Sequence, residues 1–301
     1  MDNPKINYMD VLSLIIVTHN SGRYILNCLK TIYSFNNKFP MEIIIIDNNS
    51  EDDTIEILKK LDTNCKIIRN IKNFGFAKAC NQGIKIANGN YVFLLNPDTE
   101  ILNDAFSLLY NFMEKKENEM IFCVGAQLFN EDCEPIKSFG RFPNLFYVIY
   151  EQFGLKGLIL KLRNKKFCNK KILSNQPYEV PFVLGCNMFI RKSVLDEIGL
   201  FDERFFLNFE ETELSWRANK AGYKSMILPK AKILHYSGKS FPDKKNYLSH
   251  LWLGQLLFFK LTKNQFIFLI SKFLHLFGSA IRWIVRLDNF YLLHLKKIKS
   301  I

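Results

Sequence analysis

The first half of the chain alternates apolar runs with amphipathic stretches, and that alternation restricts the fold more than any other feature. VLSLIIVT (11–18), EIIIID (42–47), CKIIR (65–69) and NYVFLL (90–95) place apolar residues at consecutive positions, not only at alternate ones. Such runs suit strands covered on both faces. Between them GRYILNCLKTIYSF, DDTIEILKKL, GFAKACNQGIKIANG and DAFSLLYNFMEKK carry apolar residues at helical spacing, with Asp52 and Thr54 expected to cap the second helix. Strands alternating with helices predict an α/β fold, Rossmann-like, with a mostly parallel central sheet and helices on both faces. In sheets of that kind ligands bind outside the carboxyl ends of the strands. The polar clusters THNSG, DNNSEDD and NPDTE all fall at those ends.

The second half is organised differently. Residues 131–177 are less regular and are expected to hold loops. VPFVLGCNMFI predicts a strand, SVLDEIG a short helix, ETELSWRANKAG a helix stopped by Gly222, and KSMILPKAKILH strand material. From residue 246 the chain turns aromatic, leucine-rich and basic, with Leu248, Leu251, Trp252, Gln255, Leu256 and Phe259 at helical spacing. Lys260, Lys263, Lys272 and Arg282 interrupt the apolar runs, so none reaches the ~18 uncharged residues of a spanning helix. Two readings stay open for 246–301: an interfacial amphipathic helix pair on a membrane, or a pair packed on the domain or in a homodimer contact.

Composition narrows the class. Seven cysteines without a C-x-x-C exclude a disulfide framework and a thiolate zinc site, and point to a reducing compartment. MDNPKINYMD has no basic stretch followed by an apolar core, so a cytoplasmic location without a signal peptide is expected. The net charge of +12 is concentrated in two places: residues 156–171 hold seven Lys/Arg and no acid, and residues 245–301 hold nine against the single Asp288. Patches of this kind suit nucleic acid, anionic lipid or a phosphorylated substrate.

Several residues have the chemistry to act. Asp47, ending a strand of four isoleucines, can accept a base imide or a ribose hydroxyl, or it can cap the next turn. In Asn96-Pro97-Asp98 the proline holds Asn96 extended, and Asp98 then suits either a plain turn or a hard cation that wants oxygen ligands. Glu210, Glu211 and Glu213 open a helix, where acids complement the dipole and Glu213 can pair with Arg217. A carboxylate shielded by the aromatics of FDERFFLNF has the environment of a general base. His235 is a lone histidine, a residue that is more often structural. G-x-G-x-x-G after the first strand, G-x-x-x-x-G-K-[ST] and G-x-S-x-G are all missing, which excludes a dinucleotide oxidoreductase, a P-loop enzyme and an α/β-hydrolase.

In their order, SLIIVTHNSGRYILNCLKTI, EIIIIDNNSEDDT, NFGFAKACNQGI, YVFLLNPDTE and GCNMFIRKSVLDEIGLFDERFFLNFEETELSWRANKAGYKSMILPKAKILHYSG resemble the family 2 inverting glycosyltransferases of the GT-A fold. The rhamnosyltransferase-like branch that builds bacterial surface polysaccharides is the nearest likeness. The resemblance implies one GT-A domain over 1–245, with a donor half at about 11–130 and an acceptor half at about 131–245, followed by a basic helical extension over 246–301. It implies that Thr18, Asn20 and Asp47 meet the nucleotide, and that Asn73, Gly75, Phe76 and Asn81 approach the donor. Asp98 would hold Mg²⁺ or Mn²⁺ on the diphosphate, with Asn96 where many relatives carry the first acid of Asp-x-Asp and His235 as a further ligand. Glu211, preceded by Glu210, stands where the family places its base, with Arg217 in the same motif.

The partners implied are a nucleoside-diphosphate sugar donor, a glycan or lipid-linked glycan acceptor and the inner membrane surface, with no nucleic acid. A cytoplasmic enzyme held peripherally at the inner face of the cell membrane follows. The alternatives are a hexosyl- or N-acetylhexosaminyltransferase of the same fold, a sugar nucleotidyltransferase, and a binding module without catalysis. The nucleotidyltransferase is disfavoured because VTHNSGRY stands where its Gly-rich basic loop belongs.

Overall fold

The computed structural model describes residues 12–35, 40–61, 65–152, 175–236, 244–263, 265–299 and 301. The basic segment 156–171 and the Gly238-Lys239-Ser240 loop lie outside the described residues.

In chain order the first half runs β1 (Leu12–Thr18), α1 (Gly22–Phe35), β2 (Met41–Asp47), α2 (Thr54–Lys60), β3 (Cys65–Arg69), α3 (Phe76–Ile86), β4 (Tyr91–Leu95), β5 (Thr99–Ile101) and α4 (Ala105–Met113). The second half continues with β6 (Ile121–Phe129), β7 (Pro135–Ile136), β8 (Phe139–Gly140), α5 (Leu145–Gln152), β9 (Tyr178–Val180), β10 (Phe182–Val183), β11 (Asn187–Arg191), α6 (Lys192–Ile198), α7 (Glu210–Lys220) and β12 (Lys224–His235). Three helices close the chain: α8 (Lys244–Thr262), α9 (Gln265–Arg286) and α10 (Asn289–Lys299).

β1 lies between β2 and β4, parallel to both, and its register with β2 runs from Leu12↔Met41 to Thr18↔Asp47. The four isoleucines of β2, Ile43 to Ile46, are buried on both faces of the sheet, each contributing about 1.5–3 kcal/mol by burial. α1 covers one face with Ile25, Cys28, Leu29 and Ile32, the i, i+3, i+4, i+7 set of an amphipathic helix. The full order is β3-β2-β1-β4-β11-β6-β12-β5. β11 is antiparallel to both its neighbours, β4 and β6, so the sheet is mixed with a parallel majority.

Four expectations change. VPFVLGCNMFI is not one strand: β9, β10 and β11 divide it, and Leu184-Gly185-Cys186 turns the chain before β11. IFCVGAQLF (121–129), unassigned from sequence, is a central strand with eight buried positions. The terminal helices are three, not a pair. The second helix starts after Asp53, whose side chain makes no capping bond. Asp52 instead accepts from Gly22 N at 2.9 Å and from Thr54 N at 3.1 Å, tying the start of α1 to that of α2.

Candidate active site

The carboxyl ends of β1 and β2 meet in a hydrogen-bonded cluster. The Thr18 hydroxyl donates to Asp47 Oδ1 at 3.0 Å, Ser50 Oγ donates to the same oxygen at 2.5 Å, and Ser50 N to Oδ2 at 3.1 Å. Both Thr18 and Asp47 are fully buried. Asn20 sits beside them in the left-handed region (φ 52°) and is exposed; its N–H donates to Ser50 Oγ and its Oδ1 accepts from Glu51 N. Asn48, next to Asp47, reaches further. Its Nδ2 donates to Gly75 O at 3.0 Å, and its Oδ1 accepts from Asn70 at 2.8 Å. Asn73 Oδ1 in turn accepts from Gly75 N at 2.9 Å, and Phe76 N donates to Phe206 O at 2.8 Å. The Asn73–Phe76 loop is thereby held against both halves of the molecule.

Asn96-Pro97-Asp98 is more than a strand exit, because it carries the chain from β4 in the middle of the sheet to β5 at its edge. β5 pairs with the end of β12, Thr99 opposite His235, and Tyr236 N donates to Asp98 O at 3.0 Å. That pairing brings Asp98, 2% exposed, to 3.4 Å from His235 Nε2. On its other side His235 Nδ1 lies 3.8 Å from Cys186 Sγ. Asn96 serves the backbone: its N–H donates to Cys186 O at 3.3 Å, and its carbonyl accepts from Thr99 Oγ1 at 2.7 Å. Burial opposes charging His235, yet the Cys186 sulfur and the Asp98 carboxylate outweigh it and push the pKa up to about 10.

Glu210 and Glu211 open α7 after two consecutive left-handed residues, Asn208 (φ 68°) and Phe209 (φ 73°). The turn separates the two carboxylates. Glu210 is 4% exposed and lies near the Cys80 thiol of α3; burial, then the neighbouring Glu211 charge, raises its pKa well above the carboxylate range. Glu211 keeps part of its surface open and faces Gly185 and Phe76: a Cβ on Gly185 would stand 3.4 Å from Phe76 and 3.9 Å from Glu211 Cβ. Enclosure of its carboxyl pushes the pKa up to about 7, and its Oε2 is buried without a hydrogen-bond partner. A carboxylate that is half protonated near neutral pH is suited to accept a proton there.

Arg217 and Asn81 act on the chain that leads into this turn. Arg217 donates to the carbonyls of Ile198, Gly199 and Leu200 and pairs with Glu213 at 2.8 Å. Asn81 brackets Phe201, donating to its carbonyl at 2.9 Å and accepting from its N–H at 3.1 Å. Their bonds reach the 198–201 segment, which leads toward the turn before α7.

The model for Glycosyl transferase family 2 matches residues 13–199, more than half of the chain. The chain belongs to this glycosyltransferase family. A relative from Mycobacterium tuberculosis, an N-acetylglucosaminyl-diphospho-decaprenol L-rhamnosyltransferase, is 23% identical over 292 residues, covering 92% of this chain and 90% of its own. Among solved structures, GalNAc-T7 with UDP, GalNAc and Mn²⁺ superposes with a TM-score of 0.62 at 18% identity. That likeness covers 98% of this chain and 56% of the other, so the chain spans little more than half of that protein. The mannosyltransferase PcManGT from Pyrobaculum calidifontis, in complex with GDP-Man and Mn²⁺, gives 0.57 at 14% identity, covering 99% of this chain and 77% of that one. The transferase is therefore a nucleotide-sugar enzyme of the GT-A fold.

The family match ends at residue 199, before Glu211 and His235, so their places in the site rest on geometry. Among the described residues no three His, Cys, Asp or Glu side chains form a metal cage. The Asp98–His235 pair nevertheless fits a divalent cation, since a buried carboxylate and an imidazole nitrogen stand 3.4 Å apart and leave coordination positions for a diphosphate. Sequence reasoning gave no role to Gly185, Cys186 and Phe206, and gave Asn48 only that of a turn cap. A signal existed for Gly185, a lone glycine interrupting an apolar run. A cavity of about 430 Å³ lined by Tyr91, Tyr110, Glu114, Arg191, Lys192 and Asp196 lies at the opposite edge of the sheet. Glu114, Arg191 and Lys192 there are bonded to protein groups.

Proposed function

We infer that the transferase is inverting and moves a sugar, rhamnose first among the candidates, from a nucleoside diphosphate to a hydroxyl of a growing lipid-linked bacterial surface polysaccharide. The observation that carries this reading is Glu211, a carboxylate with its pKa near 7 that lies beside Gly185, the residue before the Cys186 that meets His235. In it Thr18, Asn20 and Asp47 meet the base and ribose, and the loop Asn73, Gly75, Phe76 meets the donor sugar. Asn81, Arg217 and Glu210 hold the segment that presents Glu211. Glu211 accepts the proton of the acceptor hydroxyl as that oxygen attacks the anomeric carbon from the face opposite the leaving group. One displacement inverts the centre, so no protein nucleophile is required.

A bound Mg²⁺ or Mn²⁺, held by Asp98 and His235, would neutralise the charge growing on the departing nucleoside diphosphate. The decaprenol-linked substrate named for the mycobacterial relative supports a lipid-linked acceptor. It also supports a place at the inner face of the cell membrane, with the basic tail as the contact. Thermal stabilisation by a panel of nucleotide sugars, with and without Mn²⁺, tests the reading. A dTDP-sugar should stabilise most, and Asp98→Ala should lose the metal-dependent increment. Stabilisation by UDP- or GDP-hexoses instead would replace rhamnose with another hexosyl donor.

A further inference from the structure

Within the helical tail, α9 has its polarity reversed. α5, α8 and α10 pack around one side of α9, and that covered side is the polar one. Ser271, His275 and Ser279, one helical turn apart, are fully buried. They face a seam that includes Gln152 of α5 and His294 of α10, themselves 3% and 1% exposed. Gln152 Nε2 lies 2.6 Å from His275 Nδ1, and Arg282 donates to Gln152 Oε1 at 2.7 Å while covering the Trp252 ring at 4.9 Å.

The uncovered side is apolar. Phe266, Leu269, Phe273, Phe277, Ile281 and Ile284 recur at spacings of three and four and are 38–72% exposed, with Phe273 and Phe277 stacked at 5.8 Å. Water selects the opposite distribution in a surface helix. Small and polar residues turned inward and large apolar ones turned outward are what a lipid environment selects.

We propose that α9 lies in the plane of an anionic lipid bilayer, with the Phe266–Ile284 stripe sunk into the acyl boundary and the Ser271-His275-Ser279 face sealed against the protein. Over Gln265–Val285 the helix is long and apolar enough to cross a membrane, and only 22% of its most apolar window is buried. Crossing, however, would tear His275 and Arg282 from Gln152 of the catalytic domain, so the helix lies flat. Charge selects lipid over a second copy. Residues 245–301 carry nine Lys/Arg against one Asp, and Lys296 and Lys297 are exposed on α10. Two such tails repel, whereas anionic headgroups attract them.

The proposal deepens the reading of a lipid-linked acceptor, but its test reads lipid contact without turnover. Full-length protein is floated with phosphatidylglycerol-containing vesicles and with phosphatidylcholine vesicles. Binding to the anionic vesicles is expected, at least tenfold weaker for Phe273→Ser/Phe277→Ser and likewise for Ile284→Gln, with nucleotide-sugar stabilisation unchanged in both. Trp283, on the flank of the stripe and 37% exposed, should be quenched by chain-brominated lipid, and Trp283→Phe should remove that component. Wild-type protein that stays off anionic vesicles, variants that float like wild type, or a stripe that instead holds a soluble dimer would each overturn the proposal. Lipid binding in a protein without transferase activity would sink the functional reading and leave this one standing.

Discussion

At the residue scale, two adjacent carboxylates of the same type have been given different environments by a single turn. Glu211→Gln removes the proton acceptor but keeps the shape. Turnover should fall by about 10²–10⁴-fold, while nucleotide-sugar binding measured by calorimetry stays within about twofold, because only the transition state uses the lost lone pair. In the wild type kcat/KM should rise through about pH 7 and level off above it, as Glu211 ionises. Glu210 predicts a stability effect instead. Burial raises its folded pKa, so the native state holds a proton that the unfolded chain, at about 4.3, releases. The stability it contributes is complete below that value and is lost as pH rises through the folded pKa. Glu210→Gln should therefore melt a few degrees above wild type at pH 8, with the gap closing toward pH 4; a gap independent of pH would disprove the buried, protonated state.

At the scale of elements, short loops are set by contacts from elsewhere in the chain. Gly75 has φ +87°, and a Cβ there would come within 2.5 Å of Phe206 O. Gly75→Ala should cost about 1–3 kcal/mol from backbone strain alone. It should also weaken nucleotide-sugar stabilisation, because the Asn73–Phe76 loop must move off Phe206; unchanged donor binding would detach that loop from the site. β5 makes the same point. Three residues with no strand signal of their own pair with β12 and carry Asp98 to His235. Periodicity identified β1 to β4 and their helices within about three residues, since each carries its own pattern; β1, β2 and β4 are largely buried, whereas the edge strand β3 is left partly exposed. It could not identify β5, which is decided by its pairing with β12, or the break at Gly185, which is decided by Ser138, Phe76 and Glu211.

For the whole molecule, the question is where catalytic domain ends and tail begins. α8 packs on the turn that carries the glutamates: Phe258 joins Phe205 and Phe209, and His250 stacks on Phe206 at 4.7 Å. A Cβ on Gly254 would stand 2.8 Å from Asn208 O. Chains ended after Thr262 should keep donor-dependent thermal stabilisation. Chains ended after Lys245 should lose it together with about 3–5 kcal/mol, the scale of deleting one buried Phe. Equal melting of the two truncations would show that the boundary expected at 245/246 is a real one.

The sequence alone determined the α/β class and the family, through motifs that sit on locally encoded strands and helices, and it put the candidate site at the carboxyl ends of the strands. It named Asp47, Asp98, Glu211 and His235, since acids and imidazoles at strand ends and helix starts can be read one at a time. Tertiary structure decided what those residues do to one another. It set Glu211 toward Gly185 and Glu210 toward Cys80, brought His235 to Asp98 through a strand only three residues long, and turned the polar side of α9 inward. Local patterns record how a segment divides its surface between covered and open sides; which neighbour does the covering is settled only when distant segments meet.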